Sequence, residues 1–355
     1  MNRVAALVDT ALAEGVGSAA AVSIGDAGIE VARFVRGHVR RTPDLGPPID
    51  EHAWFDVASL TKPMSTAACA MVLVGDGRLD LDAPIRRWIP GAATMGTVGQ
   101  LLGHTAGCLA HVEFFRTLRQ GDHTDPGREL LELAAAQPAG EPGTSAVYSD
   151  LGYILLGAIV ERASELPLEA AFAELVAGPL GLEAQFPGTT VLDGAVATEL
   201  DDRGLVCGRV HDENAYFGGG ICGHAGLFAT IEDVARFAFA IVETFDGRAQ
   251  GRFRVETVRQ FLTESGALGA SWRLGWDTPS AEPGVSHAGD RWPRTLAVGH
   301  LGFTGTSLWL DLARRRWVAL LANRVHPSRH GSADAMKALR RAINDTAIEE
   351  LDRDA

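Results

Sequence analysis

The chain has 355 residues, of which 46% are hydrophobic and 22% charged, and a formal net charge of −13. These are ordinary globular values, so disorder and collagen-like repeats are excluded, and the length calls for one large or two interleaved domains. The acidic balance argues against a nucleic-acid partner, and no apolar run reaches the length of a membrane span.

At the N-terminus Val4, Leu7, Val8 and Leu12 fall at helical spacing. Asp9 and Glu14 interrupt the apolar run, so no secretory signal is read and a cytoplasmic location is expected. Residues 18–36 read as two strands joined by a turn at Gly25–Gly28. A loop rich in proline and charge follows. From Trp54 a strand-like stretch passes into a helix, in which Met64, Ala67, Ala68, Met71 and Val72 recur at helical spacing until Gly75 and Gly77 end it. Residues 97–265 carry helical patterns between glycine and proline loops, at 129–137, 151–163, 168–177 and 231–245. Residues 296–302, 306–312 and 316–324 are closely spaced and strand-like, which predicts an antiparallel meander. A last helix is predicted from about Ala333 to Leu351. Strands at both ends with helices between predict an α+β architecture: an antiparallel sheet flanked by terminal helices, with an inserted helical domain. The expected lobes are 1–63 with 266–355, and 64–265, with a site in the cleft between them.

The four cysteines, Cys69, Cys108, Cys207 and Cys222, are too few and too scattered for a disulfide framework and read as free thiols. Lysine is nearly absent: of 32 basic residues only Lys62 and Lys337 are lysines. Lys62 falls in Ser59-Leu60-Thr61-Lys62. With 14 serines and two lysines in 355 residues, a chance S-x-x-K is expected about 0.08 times (14 × 2/355). On a helix the two ends share one face. A serine hydroxyl becomes a nucleophile only when a neighbour takes its proton, which lysine can do and arginine cannot. Tyr148-Ser149-Asp150 precedes a predicted helix. It reads either as an N-cap or as a tyrosine placed to relay a proton. Gly299-His300-Leu301-Gly302-Phe303-Thr304-Gly305 interrupts a strand pattern with glycines. It reads either as a kinked hairpin or as a strand edge that offers an oxyanion N–H.

In the order S-x-x-K, Y-x-D, H-x-G, these segments resemble the serine β-lactamase and penicillin-binding protein superfamily, in its class C β-lactamase-like branch. LLGHTAG at 101–107 resembles another of its loops, and the likeness covers most of the chain. The resemblance implies a β-lactamase/transpeptidase-like fold and a serine hydrolase that needs no cofactor or metal. Its substrate would be a small carboxylester or a D-amino-acid peptide. Ser59 would be acylated, Lys62 would accept its proton, and Tyr148 would serve deacylation or the leaving group. Asp150 stands where the family often has asparagine; it would bind Lys62 and a substrate amide, and would hold Lys62 as a cation. The N–H groups of Ser59 and Phe303 would form the oxyanion hole. His300, Gly302, Thr304 and His224 would contact substrate.

Two departures matter. Leu301 replaces the usual hydroxyl, and His300 replaces a permanent cation. Both weaken the expected grip on a C-terminal carboxylate, argue against efficient β-lactamase activity and favour an ester, or an amide recognised differently, with the hydroxyls of Thr304 and Thr306 as compensation. Segment 210–237 places His211, Asp212 and His224 at the cleft; a zinc site using them with Cys222 lacks the usual spacing. His104 reads as structural, and His111 and His123 as loop residues. The rival expectation is a non-catalytic or slowly acylating binding module.

Overall fold

The computed structural model describes residues 1–121, 123–265 and 271–353. The chain opens with helix α1 (Asn2–Ala13), then β1 (Ala19–Asp26) and β2 (Ile29–Gly37). The two-residue strand β3 (Phe55–Asp56) leads through a tight 3-10 turn, Ala58–Leu60, into a π-helical stretch, Lys62–Ala67, and on into α2 (Ala68–Gly75). The expected uninterrupted helix is therefore irregular over its first two turns, as is common at functional sites. Further on lie α3 (Asp150–Ser164), the hairpin β4 (Ala197–Asp201) with β5 (Gly204–Cys207), β6 (Phe228–Ala229) and α4 (Ile231–Phe245). The chain closes with β7 (Ala297–Leu301), β8 (Ser307–Asp311), β9 (Arg316–Ala322) and α5 (Ala333–Arg353).

Five strands form one antiparallel sheet in the order β2-β1-β9-β8-β7, so the first and last parts of the chain meet at β1 and β9. Alternation along these strands feeds two cores. Val22, Ile24, Trp309, Val318 and Leu320 face α1 and α5, where Val4, Val8, Met336 and Ile343 meet them. Ala21, Leu308, Leu310, Trp317 and Leu321 face the other way, onto the helical part of the chain. Both faces are thus covered, which explains why these strands read as nearly continuous apolar runs. The hairpin at 197–207 and the strand β6 lie where only helices were expected, whereas β3, which pairs with β6, falls in the strand-like stretch from Trp54. The hairpin strands and β6 are too short to show a period in the sequence. Among the described residues no helix is long and apolar enough to cross a membrane.

The end of β7 approaches the Ala58–Leu60 turn closely. A Cβ on Gly302 would run into Thr306 Oγ1 and the Val57 carbonyl, so only glycine fits there. Thr304 Oγ1 and Thr306 Oγ1 donate to the carbonyls of Asp56 (2.8 Å) and Val57 (2.9 Å) and lock the two segments together.

Candidate active site

Ser59 is set up by strain. Ala58 has φ +49°, in the left-handed region that a residue with a Cβ disfavours by about 1–2 kcal/mol. The buried Asp56 carboxylate holds the turn by accepting the N–H of Ala58 (2.8 Å) and of His211 (2.7 Å). The result presents Ser59, half-buried, at the wall of a cavity of about 360 Å³.

Behind it lies Lys62, fully buried. Its Nζ donates to Ser59 Oγ (3.1 Å), Asp150 Oδ1 (2.7 Å) and the His224 carbonyl (3.1 Å). Burial favours the neutral amine, but the facing Asp150 carboxylate outweighs it and raises the lysine pKa. The same pairing, against the cost of burial, holds the Asp150 carboxyl well below the usual carboxylate range. Tyr148 packs its ring 4.9 Å from Lys62 Nζ, and its hydroxyl interacts with both Lys62 and Ser59. Burial raises the phenol pKa, while the Lys62 cation opposes that rise.

Tyr148 and Asp150 flank Ser149, which caps α3 by accepting the Gly152 N–H (2.9 Å). The cap fixes the turn that aims both neighbours at Lys62. The buried His104, itself at φ +58°, accepts the Ser149 N–H at Nδ1 (3.1 Å) and packs on Tyr148, Tyr153 and Trp272. Burial keeps it neutral.

On the opposite wall, Gly302 and Phe303 line the cavity with His300. The N–H groups of Ser59 and Phe303 enter none of the turn, loop or cap hydrogen bonds of the described residues, so both remain available to an oxyanion. His300 Nδ1 lies 2.9 Å from the Leu301 carbonyl and must donate to it, which leaves Nε2 as a bare acceptor. Burial and the Lys62 charge push its pKa down to about 3, so the imidazole is neutral throughout the physiological range.

Two expected contacts are corrected. Thr304 is buried, and its hydroxyl is spent on the Asp56 carbonyl, so it offers a substrate nothing; Thr306 is spent likewise. The His224 ring faces away from the cavity, between Asp212 Oδ1 (3.0 Å) and Cys222 Sγ (3.1 Å), and only its carbonyl reaches Lys62. Asp150 engages Lys62 with one oxygen and His111 Nδ1 (3.1 Å) with the other. His111 is thereby more than a loop residue. Among the described residues no group of His, Cys, Asp and Glu is arranged to hold a metal ion.

Sequence reasoning missed Trp272, which stacks on Tyr148 (ring centroids 5.2 Å apart) and lines the cavity. It also missed Asp56 under the turn, and Arg324 and Arg340 at the cavity wall. These residues lie in no short motif. Only the near-absence of lysine gave a signal for a cation, and arginine is common here.

The beta-lactamase family model matches residues 4–342. The chain belongs to the beta-lactamase family. Its relatives include a protein of Escherichia coli K12 provisionally named a D-alanyl-D-alanine carboxypeptidase, 29% identical over 309 residues, 77% of this chain and 69% of the relative. The N-acetylmuramyl-L-alanine amidase of Bacillus subtilis 168 is 28% identical over 306 residues, 77% of this chain and 68% of the relative. Among solved structures, the hydrolase EstCE1, described as having promiscuous acyltransferase activity, superposes with a TM-score of 0.73 at 22% identity, covering 97% of this chain and 98% of its own. At that identity the likeness speaks for the fold alone. The chain is a beta-lactamase-family serine hydrolase with the β-lactamase/transpeptidase-like fold of mixed helices and antiparallel sheet.

Proposed function

We propose that this hydrolase cleaves a small carboxylester or a D-amino-acid amide through an acyl-enzyme on Ser59. The observation that carries the reading is the fully buried Lys62 ammonium 3.1 Å from Ser59 Oγ, fixed by Asp150 and a carbonyl. Ser59 Oγ attacks the substrate carbonyl while its proton passes to Tyr148, whose anionic form the Lys62 cation favours. The carbonyl oxygen becomes an oxyanion between the N–H groups of Ser59 and Phe303. The C–O or C–N bond then breaks, and Tyr148 returns the proton to the leaving group. Water adds to the acyl-Ser59 ester and gives its proton to Tyr148; as the tetrahedral adduct collapses, Tyr148 returns that proton to the departing Ser59 Oγ and the acid is released. With Lys62 held as a cation, Tyr148 carries the proton and Lys62 tunes it. Relatives named for D-alanyl and muramyl-alanine amides support substrates derived from cell-wall peptides.

The test is hydrolysis of p-nitrophenyl acetate by the native chain, Ser59→Ala and Tyr148→Phe, with folding checked for each. Ser59→Ala should lose enzymatic turnover, and Tyr148→Phe should lower kcat by about 10²–10⁴-fold. If Ser59→Ala retains the native rate, the nucleophile is wrong. If the native chain turns over neither esters nor D-alanyl peptides and an activated phosphonate never labels Ser59, the chain is a binding module.

A further inference from the structure

Between β5 and β6 three side chains stand in series. Asp212 Oδ1 lies 3.0 Å from His224 Nε2, and His224 Nδ1 lies 3.1 Å from Cys222 Sγ. Asp212 is itself fixed, because the same oxygen accepts the Ala215 N–H (2.8 Å) and caps the short helix Glu213–Phe217. His224 is buried. Burial opposes its charge, but Cys222 and Asp212 on either side outweigh it and hold its pKa well above the ordinary value. A protonated His224 has two N–H donors, one for the carboxylate and one for the sulfur. An imidazolium at hydrogen-bond distance favours the thiolate, the nucleophilic form of cysteine. The other three cysteines are placed differently. Burial raises the pKa of Cys69 and Cys207 and pushes Cys108 up to about 11, and Cys207 spends its S–H on the Ala195 carbonyl (3.2 Å).

Cys222 also lines a second cavity, of about 330 Å³, with Arg128, Leu130, Ile154, Ala158 and Leu168. This cavity shares no lining residue with the one at Ser59, so a reagent in it meets Cys222 without passing the nucleophile. The segment that carries the thiol nevertheless holds Lys62. The His224 carbonyl accepts Lys62 Nζ (3.1 Å), and the Gly223 carbonyl accepts Thr66 Oγ1 (2.7 Å) from the same π-helical stretch. On its other side the segment is pressed against α3: a Cβ on Gly223 would run into the Tyr153 carbonyl and the backbone of Gly157. Tethered on one side and in contact on the other, it has no slack to absorb added bulk at Cys222 without moving the carbonyl at Lys62.

We propose that Cys222, with His224 and Asp212, is a second reactive centre: a thiol that a small peroxide oxidises through this cavity, with loss of the Lys62 alignment as the consequence. The reactivity of the thiol is independent of the hydrolase reading above; its effect on turnover rests on that reading. The sulfur attacks, as thiolate, one oxygen of hydrogen peroxide. An S–O bond forms and the O–O bond breaks, so the sulfur is oxidised by two electrons and the peroxide reduced. The departing hydroxide takes the Nδ1 proton of His224 and leaves as water, and Cys222 becomes a sulfenic acid.

The test treats the full chain with hydrogen peroxide and dimedone, which traps sulfenic acids, and locates the adducts by peptide mass spectrometry. Cys222 should be labelled at least about tenfold faster than Cys69, Cys108 or Cys207. Asp212→Asn keeps the cap but removes the charge that holds His224 protonated, and should slow the Cys222 adduct by about tenfold. Peroxide alone should lower kcat for p-nitrophenyl acetate by at least about tenfold, and dithiothreitol, which reduces the sulfenic acid to the thiol, should restore it. Cys222→Ala and Cys222→Ser should keep the native turnover and resist peroxide. Labelling of Cys222 no faster than of the other cysteines, or unchanged in folded Asp212→Asn, overturns the proposal. Inactivation of the Cys222 variants by peroxide to the same extent as the native chain overturns the link to Lys62. If Cys222 is labelled selectively while the chain cleaves neither esters nor D-alanyl peptides, the reactive centre stands and the hydrolase reading falls. If labelling is unselective while Ser59→Ala abolishes turnover, the reactive centre falls and the hydrolase reading stands.

Discussion

Lys62 lies behind Ser59 and Arg340 lies behind Gly302, two buried cations on opposite walls of one cleft. Lys62 has a carboxylate at 2.7 Å, and its pKa rises in spite of burial. Arg340 has two carbonyls, and burial together with the neighbouring Arg324 brings its pKa down to about 9. The difference is one of where the counter-charge comes from. At Lys62 the chain supplies it, so the cation is committed to ordering Ser59 and Tyr148. At Arg340 the chain supplies only backbone carbonyls.

The sharpest way to break this contrast is to remove each cation in turn. Lys62→Met strands the Asp150 carboxylate in a largely buried position, with His111 as its remaining partner. The expected cost is about 3 kcal/mol of stability, measured by urea unfolding, together with loss of esterase turnover. Arg340→Met leaves no carboxylate behind. It frees two carbonyls, for an expected cost of about 1–2 kcal/mol. Equal losses in the two variants would mean that Arg340 has an acidic counterpart after all.

Asp150→Asn sharpens the Lys62 side. Without the carboxylate, burial dominates and the amine pKa falls. A larger fraction of Lys62 is then neutral at a given pH, and the lysine itself becomes the proton acceptor. Under the proposed mechanism the native proton acceptor is the Tyr148 phenolate, and the phenol pKa lies above its ordinary value, so kcat/KM should still be climbing at pH 9. In Asp150→Asn the rise should begin at lower pH and reach a plateau. Profiles that superpose would show that Asp150 does not set the protonation of Lys62.

The fold was legible where period and composition agreed. The β7–β9 meander, the β1–β2 hairpin and the terminal helices were all readable, because closely spaced apolar runs and helical spacing mark them in the sequence. A strand of two residues carries no period, so β6 was not readable. Nor was the left-handed Ala58, since alanine gives no local sign of φ > 0. In the candidate site, the Ser59, Lys62, Tyr148 and Asp150 segments could be picked out by short spacing and rarity. Thr304 and His224 could not be assigned correctly from sequence, because each is turned by a partner distant in the chain, the Asp56 carbonyl and the Asp212 carboxylate. Arg324 and Arg340 gave no signal, because what sets them apart is a missing partner, and a missing partner is visible only in three dimensions.

His300 gives the finest test of the contrast, because it sits in the same cavity wall and responds to Lys62. Its folded pKa is pushed down to about 3, first by burial and then by the lysine charge, whereas in the unfolded chain it is about 6.5. Between those values the unfolded chain binds a proton that the native imidazole refuses, so stability falls as pH is lowered below about 6.5. One such group contributes a slope of at most about 1.4 kcal/mol per pH unit. His287 and His326, each pushed down to about 4 by burial, act with the same sign. The His300 share is therefore isolated by comparing the native chain with His300→Gln, which cannot titrate. Urea unfolding from pH 7 to pH 5 should show the shallower pH slope in the variant. Equal slopes would mean that His300 is protonated in the native state near neutral pH. The β7 strand would then carry a cation of its own.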